Sequence, residues 1–166
     1  MEIIAQILSI IGMIGTVFAF QIKKTSHFCI MSIFTCSLFA TSYLLLGSPT
    51  SAIINLVCAV RGILASNSKT NTRLSFGIIS LVIIIATAFT FNGILSVLVC
   101  FAELVGTYAM WFATEIGIRK FRIFIQSPLW LINNVCVFSI GGIICELFSM
   151  ASATIFWIRM TRKKKA

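Results

Sequence analysis

Charged residues are scarce in this 166-residue chain, at 10% of the total, whereas hydrophobic residues make up 59%. A soluble domain has about a quarter charged residues and roughly half apolar ones. So few charges cannot cover a globule with polar surface, which predicts an integral membrane protein. The long apolar runs lack alternation, so they indicate membrane-spanning helices and exclude a closed β-barrel, the other structure that satisfies its backbone in lipid.

Groups that carry catalysis or hold a cofactor are also sparse. The chain has no Gly-rich phosphate loop, no HExxH motif, no Cys-His pair and no closely paired carboxylates. An active site needs a positioned acid, base or nucleophile, so we expect neither an enzyme nor a cofactor. The 6 cysteines lie singly in apolar runs and predict no disulfide framework and no metal site. The single histidine, His27, is expected to be a solvated interfacial residue, with a pH sensor as the alternative.

Polar and turn-forming breaks divide the apolar sequence into segments near the length of about 20 residues that a spanning helix needs. The breaks are QIKKTS, GSPT, SNSKTNTR, Asn92-Gly93, TEIGIRK and Gly141-Gly142. They predict an all-α polytopic protein with seven spans, at 3–21, 27–46, 50–65, 74–91, 94–113, 119–138 and 141–158.

The basic residues predict the orientation of these spans. Of the 13, twelve fall in or beside the first, third and fifth loops or after the last span, and the other, Arg61, is near the same side. Because Lys and Arg stay cytoplasmic, the N-terminus is expected outside and the C-terminus inside. The basic TRKKK tail is interpreted as a topology anchor attracted to anionic lipid, so the net charge of +9 does not indicate nucleic acid.

A weak internal repeat appears when the chain is shifted by 91 residues against itself. The shift lays the first three spans over the last three, leaves the fourth unpaired and superimposes two basic loops. Identical pairs at this offset include Gly15-Thr16 with Gly106-Thr107, Leu38 with Leu129, Ser48 with Ser139, Ile53 with Ile144 and Leu56 with Leu147. An odd span between two like-oriented triplets predicts a parallel repeat, one of the arrangements found in transporters.

Three segments carry a resemblance to known families: FAFQIKKTSHF at 18–28, SYLLLGSPTSAIINLVCAVRGIL at 42–64 and WLINNVCVFSIGGIICELFS at 130–149. The chain resembles the SWEET and PQ-loop transporter superfamily, and more closely the YgjV-type bacterial inner membrane proteins. The resemblance implies a bacterial inner membrane location and a SWEET-like 3+1+3 plan. That plan has a first three-helix bundle at 1–65, a linker helix at 66–93, a second bundle at 94–158 and a basic cytoplasmic tail at 159–166.

The sequence departs from these families in its prolines. The Pro-Gln pair of the PQ-loop family is here Phe20-Gln21, and only Pro128 matches a proline of the SWEET inner helices. The repeat mate of Pro128 is Ser37. Proline hinges are therefore mostly missing, which does not favour SWEET-like rocking.

Two polar residues, Asn55 and Glu146, lie at the same depth of the third and seventh spans and face each other in the repeat. In the SWEET family, asparagines near this point line the solute pocket, so the resemblance implies a substrate site at these two residues. Glu146 would supply an anionic or protonatable group for proton or cation coupling. The alternative is packing, in which each side chain bonds to a neighbouring helix.

Glu103 and Arg61 are the other charges within the apolar runs. Glu103 is a candidate for proton or cation coupling, and the alternative is a protonated carboxyl or a partner for helix backbone. The Arg61 stem can snorkel to the cytoplasmic surface, or the guanidinium can pair with a carboxylate near the inner gate.

Aromatic and amide side chains form a further candidate substrate-binding group. Ligand sites combine apolar walls with a few placed polar groups, and packing or an interfacial belt is the alternative for the tryptophan. The group pairs repeat mates, Phe39 with Trp130 and Tyr43 with Asn134, and adds Asn133.

Two functions remain open from the sequence. The first is a transporter of a small polar solute, neutral, zwitterionic or cationic, through a central cavity between the two bundles. The second is a non-transporting receptor, chaperone or complex subunit, since one fold serves several functions. The identity of the solute and the formation of a homo-oligomer stay open.

Overall fold

The structure is a computed structural model of the chain, and it describes residues 1–19, 22, 25–66 and 71–163, apart from the side chains of 25, 26, 28, 66, 115 and 161–163. Several residues used above lie outside the described residues: Phe20, Gln21, Lys23, Lys24, Lys69, Lys164 and Lys165.

Seven helices, and no strand, account for the regular structure of the described residues. They are α1 Glu2–Ala19, α2 Thr25–Leu45, α3 Pro49–Ser66, α4 Thr72–Phe89, α5 Ile94–Phe112, α6 and α7 Ile140–Lys163. Helix α6 is continuous through three segments, Glu115–Phe121, a π-helical Arg122–Gln126 and Ser127–Cys136. The all-helical class is confirmed. The helices match the predicted segments in number and order, and the larger differences are an earlier start of α6 and a later end of α7.

The lengths of the helices fit a membrane protein. Four are long and apolar enough to cross a bilayer, at Glu2–Ala19, Thr72–Phe89, Ile94–Phe112 and Ile140–Met160. Shorter apolar helices cover Cys29–Leu45 and Pro49–Ala65. Large apolar side chains such as Ile7, Leu74 and Phe89 are exposed on the outer faces, where lipid would cover them.

Local sequence explains where several helices begin. The Asn71 side chain accepts hydrogen bonds from the backbone N–H groups of Arg73 and Leu74, and Thr114 caps α6 in the same way through Gly117. Such caps satisfy donors that have no partner within the helix. Within α6, the Ser127 N–H donates to the Arg122 carbonyl, the longer bond of a π turn. The π segment lies just before Pro128, which has no N–H to continue the α-helical ladder.

The helices pack mainly against their neighbours in the chain, and the first helix also packs against the last. Helix α2 packs against α1 and α3, and α6 packs against α5 and α7. Contacts between α3 and α5, and between α1 and α7, join these two triplets, while α4 packs against α3 and α5. The buried apolar core draws on α2 to α6 and includes Phe39, Tyr43, Ile54, Val99 and Trp130.

Two turns, α2–α3 and α6–α7, have the same hydrogen bonds at a spacing of 91 residues. Ser48 donates its N–H to the Tyr43 carbonyl at 2.8 Å, and Ser139 donates to the Asn134 carbonyl at 2.9 Å. Each turn also contains a residue with positive φ, Gly47 at 75° and Phe138 at 55°. The left-handed conformation is natural for glycine and strained for phenylalanine.

Candidate functional site

A buried ion pair joins α3 to α5. Arg61 Nη1 lies 2.5 Å from Glu103 Oε2, and the two side chains are only 8% and 3% exposed. The snorkelling interpretation of Arg61 is therefore wrong, because its guanidinium is inside the protein. The alternative, pairing with a carboxylate, is what the structure contains.

Helix α6 supplies two more donors to the same carboxylate. Trp130 Nε1 donates to Glu103 Oε1 at 2.7 Å, and Gln126 Nε2 donates to that oxygen at 3.0 Å. Gln126 reaches it across Gly106, where a Cβ atom would lie 2.5 Å from Gln126 Nε2. Three helices thus meet at one carboxylate, and a glycine leaves the space for the amide.

Thr107 completes this group on α5. Its hydroxyl donates to the Glu103 carbonyl at 2.6 Å and accepts from Arg61 Nη1 at 3.0 Å. Glu103 and Thr107 are four residues apart, so they lie on the same face of the helix. We call Arg61, Glu103, Thr107, Gln126 and Trp130 the charged cluster.

The charged cluster is expensive to bury. Taking two ions out of water costs several kcal/mol per ion, and removing one partner of such a pair costs about 3–5 kcal/mol because the other is left uncompensated. Intramembrane ionisable residues are rare and mark pathways for ions or solutes. This buried pair is therefore the leading functional candidate in the described part of the chain.

A second polar contact joins α2 to α6. The Tyr43 hydroxyl donates to Asn134 Oδ1 at 2.6 Å, and both side chains are buried. The Tyr43 ring packs against Phe39, with ring centroids 6.2 Å apart, and against Trp130, at 5.9 Å. Trp130 therefore connects this aromatic group to Glu103. The structure brings together four of the predicted substrate-binding residues.

Asn133 is the fifth member of the predicted aromatic and amide group. It is fully buried, and its Oδ1 accepts from the Ser51 hydroxyl at 3.3 Å. Its Nδ2 has no hydrogen-bond partner among the described residues. Asn133 thus links α6 to α3, one turn away from Trp130.

Asn55 and Glu146 take no part in the hydrogen bonds described so far. Asn55 Nδ2 donates to the Ser51 carbonyl of its own helix at 3.1 Å and is half-buried. Glu146 is half-buried on α7, where Arg122 of α6 interacts with it electrostatically, as do Tyr43 and Glu103. The hydrogen bonds given for the described residues do not connect these two side chains with each other.

Three residues of the charged cluster were not predicted as site residues: Arg61, Thr107 and Gln126. A signal was present for Arg61, because it and Glu103 are opposite charges in apolar runs. Such charges usually pair inside a membrane bundle. Gln126 carried no signal, since it was assigned to the start of a span without knowledge of the π turn.

Metal ligands and His27 are the remaining features considered in the sequence analysis. The described residues contain no group of three or more His, Cys, Asp or Glu side chains that could hold a metal ion. His27 is exposed at the start of α2.

Comparison with known proteins identifies the family. The family model Imp-YgjV, described as a bacterial inner membrane protein, matches residues 3–164. The chain belongs to this family. The predicted resemblance to YgjV-type proteins is thereby confirmed, as is the membrane class. Neither the curated proteins nor the solved structures contain a match.

Proposed function

We propose that this inner membrane protein is a transporter of a small polar solute, built from two like-oriented triplets of helices, α1–α3 and α5–α7, with α4 as the linker. The observation that carries the proposal is the buried Arg61–Glu103 pair on α3 and α5, one helix from each triplet. A protein that only needed packing would gain by apolar residues here, because a buried pair is weak evidence of stability.

The contacts at a spacing of 91 residues support the two-triplet plan. Tyr43 and Asn134 are repeat mates, and they hydrogen-bond to each other, as residues on a twofold axis would. A Cβ atom on Gly15 would lie 2.6 Å from Thr35, and one on Gly106 would meet Gln126, which is the repeat mate of Thr35. If the two triplets are related by such an axis, the arrangement is a parallel repeat of the kind found in SWEET and PQ-loop transporters.

The position of Tyr43 and Asn134 suggests which end of the pathway is closed. Both lie two residues before the ends of their helices, α2 at Leu45 and α6 at Cys136. With the N-terminus outside, these helix ends face the outside, so the hydrogen bond between them would hold the outer ends of the two triplets together. Opening to the outside would then require this bond to break.

Uptake into proteoliposomes tests the transporter proposal. Radiolabelled glucose, alanine and choline serve as neutral, zwitterionic and cationic probes. We expect at least one to enter faster than in protein-free liposomes, and Glu103→Gln to reduce that uptake at least tenfold. Ser80→Ala is the matched control, because Ser80 is an α4 serine whose buried hydroxyl has no described partner. Uptake by wild type and Glu103→Gln at the protein-free rate would contradict the proposal.

A non-transporting module is the second candidate, and the aromatic packing between α2 and α6 favours it. Phe39, Tyr43 and Trp130 are buried against one another, which suits a rigid body. This candidate predicts a stoichiometric partner in mild-detergent purifications and no uptake of any probe.

Basic residues at the start of α6 support contact with anionic lipid. Arg119 lies 4.8 Å from the centroid of the Phe156 ring, and Lys120 Nζ lies 5.6 Å from that of Trp157. Aromatic rings and basic groups together are typical of a membrane–water interface. This end of the bundle is the proposed cytoplasmic face, with the C-terminus inside.

A further inference from the structure

In the charged cluster, the hydrogen-bonding capacity of the Glu103 carboxylate is filled more completely than that of the Arg61 guanidinium. Within the described residues, Glu103 Oε1 accepts from Gln126 and Trp130, and Oε2 accepts from Arg61 Nη1. The carboxylate therefore has a donor on each oxygen and two on one of them. A cationic solute would have to displace these donors to reach it.

Arg61 has a buried donor left over. The residue is only 7% exposed, and its Nε–H finds no acceptor among the described residues. All of its hydrogen bonds given above are made by Nη1, to the carboxylate and carbonyl of Glu103 and to Thr107. A guanidinium has five N–H donors and no acceptor, so only a group with lone pairs can satisfy this N–H.

An orphan donor of this kind is unusual in a protein interior. Buried polar groups are nearly always hydrogen-bonded, and an unsatisfied one costs free energy. Guanidinium groups recognise carboxylates especially well, because the planar fork matches the two oxygens. Glu103, held by α6, keeps the guanidinium in place from the other side.

We infer that Arg61 binds the carboxylate of the transported solute through its Nε–H, with Glu103 acting as a positioning residue. The inference rests on the proposed function and narrows it to solutes that carry a carboxylate, zwitterions included. Compared with the neutral, zwitterionic or cationic solute predicted from the sequence, it keeps zwitterions, adds carboxylate anions and excludes solutes without a carboxylate. A solute with an amine but no carboxylate would face a carboxylate whose oxygens are already occupied.

Paired probes test this inference on the purified full-length protein. Alanine, lactate and succinate are each compared with the corresponding uncharged or carboxylate-free compound: alaninamide, lactamide and succinamide. In thermal-shift and uptake measurements, we expect at least one carboxylate to raise the melting temperature by about 2 °C or more, or to be taken up, while its amide has no effect.

Variants at Arg61 separate a solute contact from a structural role. Arg61→Lys keeps the charge that Glu103 needs but removes the guanidinium edge, so we expect a folded protein with at least tenfold weaker carboxylate binding. The double variant Arg61→Met with Glu103→Leu removes both charges together, and it should fold but bind no carboxylate. Ser80→Ala should bind like the wild type.

Each remaining outcome overturns the inference. Amides acting as strongly as carboxylates, unchanged binding by Arg61→Lys, or no effect of any carboxylate would mean that the Nε–H is satisfied by water alone. Uptake of glucose or choline in that case would leave the transporter proposal standing. Absence of uptake for every probe would contradict the transporter proposal, and absence of a thermal shift as well would overturn the inference.

Discussion

The two seams that join the triplets are built differently, although the helices are equivalent in the proposed repeat. At the α1–α7 seam the backbones approach so closely that a Cβ atom on Gly141 would overlap the Ser9 carbonyl group. The Gly141 N–H also donates to the Ser9 hydroxyl at 3.2 Å. At the α3–α5 seam the contact is made by Arg61 and Glu103.

The repeat mates make the contrast plain. Gly12 stands where the second triplet has Glu103, and Ser152 stands where the first has Arg61. Gly12 packs beneath Phe39, while Glu103 accepts from Trp130, the repeat mate of that phenylalanine. One seam is closed by small residues, and the other retains charges that packing alone does not require. The α1–α7 seam is thus closed by packing, whereas the α3–α5 seam holds the buried pair on which the proposed function rests.

The largest expected effect comes from removing one partner of the ion pair at the α3–α5 seam. Arg61→Met should destabilise the protein by about 3–5 kcal/mol, because Glu103 would be left buried and uncompensated. The double variant with Glu103→Leu should recover most of that loss. Thermal unfolding in detergent, followed by size-exclusion chromatography, checks both. A double variant no more stable than the single one would mean that the two residues do not act as a pair.

The next effect belongs to the small-residue seam. Gly141→Ala should cost about 1–3 kcal/mol or more, because the new methyl group meets backbone that cannot move aside. Gly62→Ala and Gly77→Ala are matched helical controls, since a Cβ atom there would meet nothing within 4 Å. These controls should be as stable as the wild type or slightly more so. Equal melting temperatures for Gly141→Ala and the controls would contradict a tight seam.

A third prediction concerns the support of Glu103. Gly106→Ala should push the Gln126 amide away from the carboxylate, at a cost of about 1 kcal/mol, since a flexible side chain gives way more easily than backbone. Uptake of the transported probe should fall with little change in folding. Gln126→Leu is the companion variant, and we expect the same direction of change. Uptake preserved in both would show that Gln126 is not needed to position Glu103.

The smallest expected changes in stability come from substitutions in the α2–α3 and α6–α7 turns. Gly47→Ala should destabilise by about 1 kcal/mol because an alanine is strained at positive φ. Phe138→Gly should be neutral or stabilising, since it removes that strain from an exposed residue. Melting temperatures of the two variants, measured side by side, test whether the turns are equivalent. Opposite signs support equivalence, and a loss in both would count against it.

Much of the fold could be predicted because hydropathy and turn residues act along the chain. The apolar segments between GSPT, Asn92-Gly93 and Gly141-Gly142 became helices with ends close to those predicted. The start of α6 was predicted four residues late, at 119 instead of Glu115, because the TEIGIRK segment was interpreted as a polar break. Its Thr114 cap nonetheless begins a helix there.

The candidate site was only partly predictable. Tyr43, Asn134, Phe39 and Trp130 were predicted as two pairs of repeat mates. They lie in contact, as repeat mates near a shared axis would. Asn55 and Glu146 were chosen by the same symmetry, but symmetry alone does not decide which neighbour a side chain bonds. The snorkelling interpretation of Arg61 was wrong because the distance of a residue from a helix end does not show which side chains of other helices lie next to it.

The sequence by itself determined the membrane class, the number and order of the helices and the 91-residue correspondence, since these depend on composition and spacing along one dimension. Only the tertiary structure decided that Arg61 meets Glu103, and that a π turn in α6 and the bare face of Gly106 let Gln126 join them. These contacts arise between helices far apart in the chain, where the rotation of each helix about its axis selects the partner.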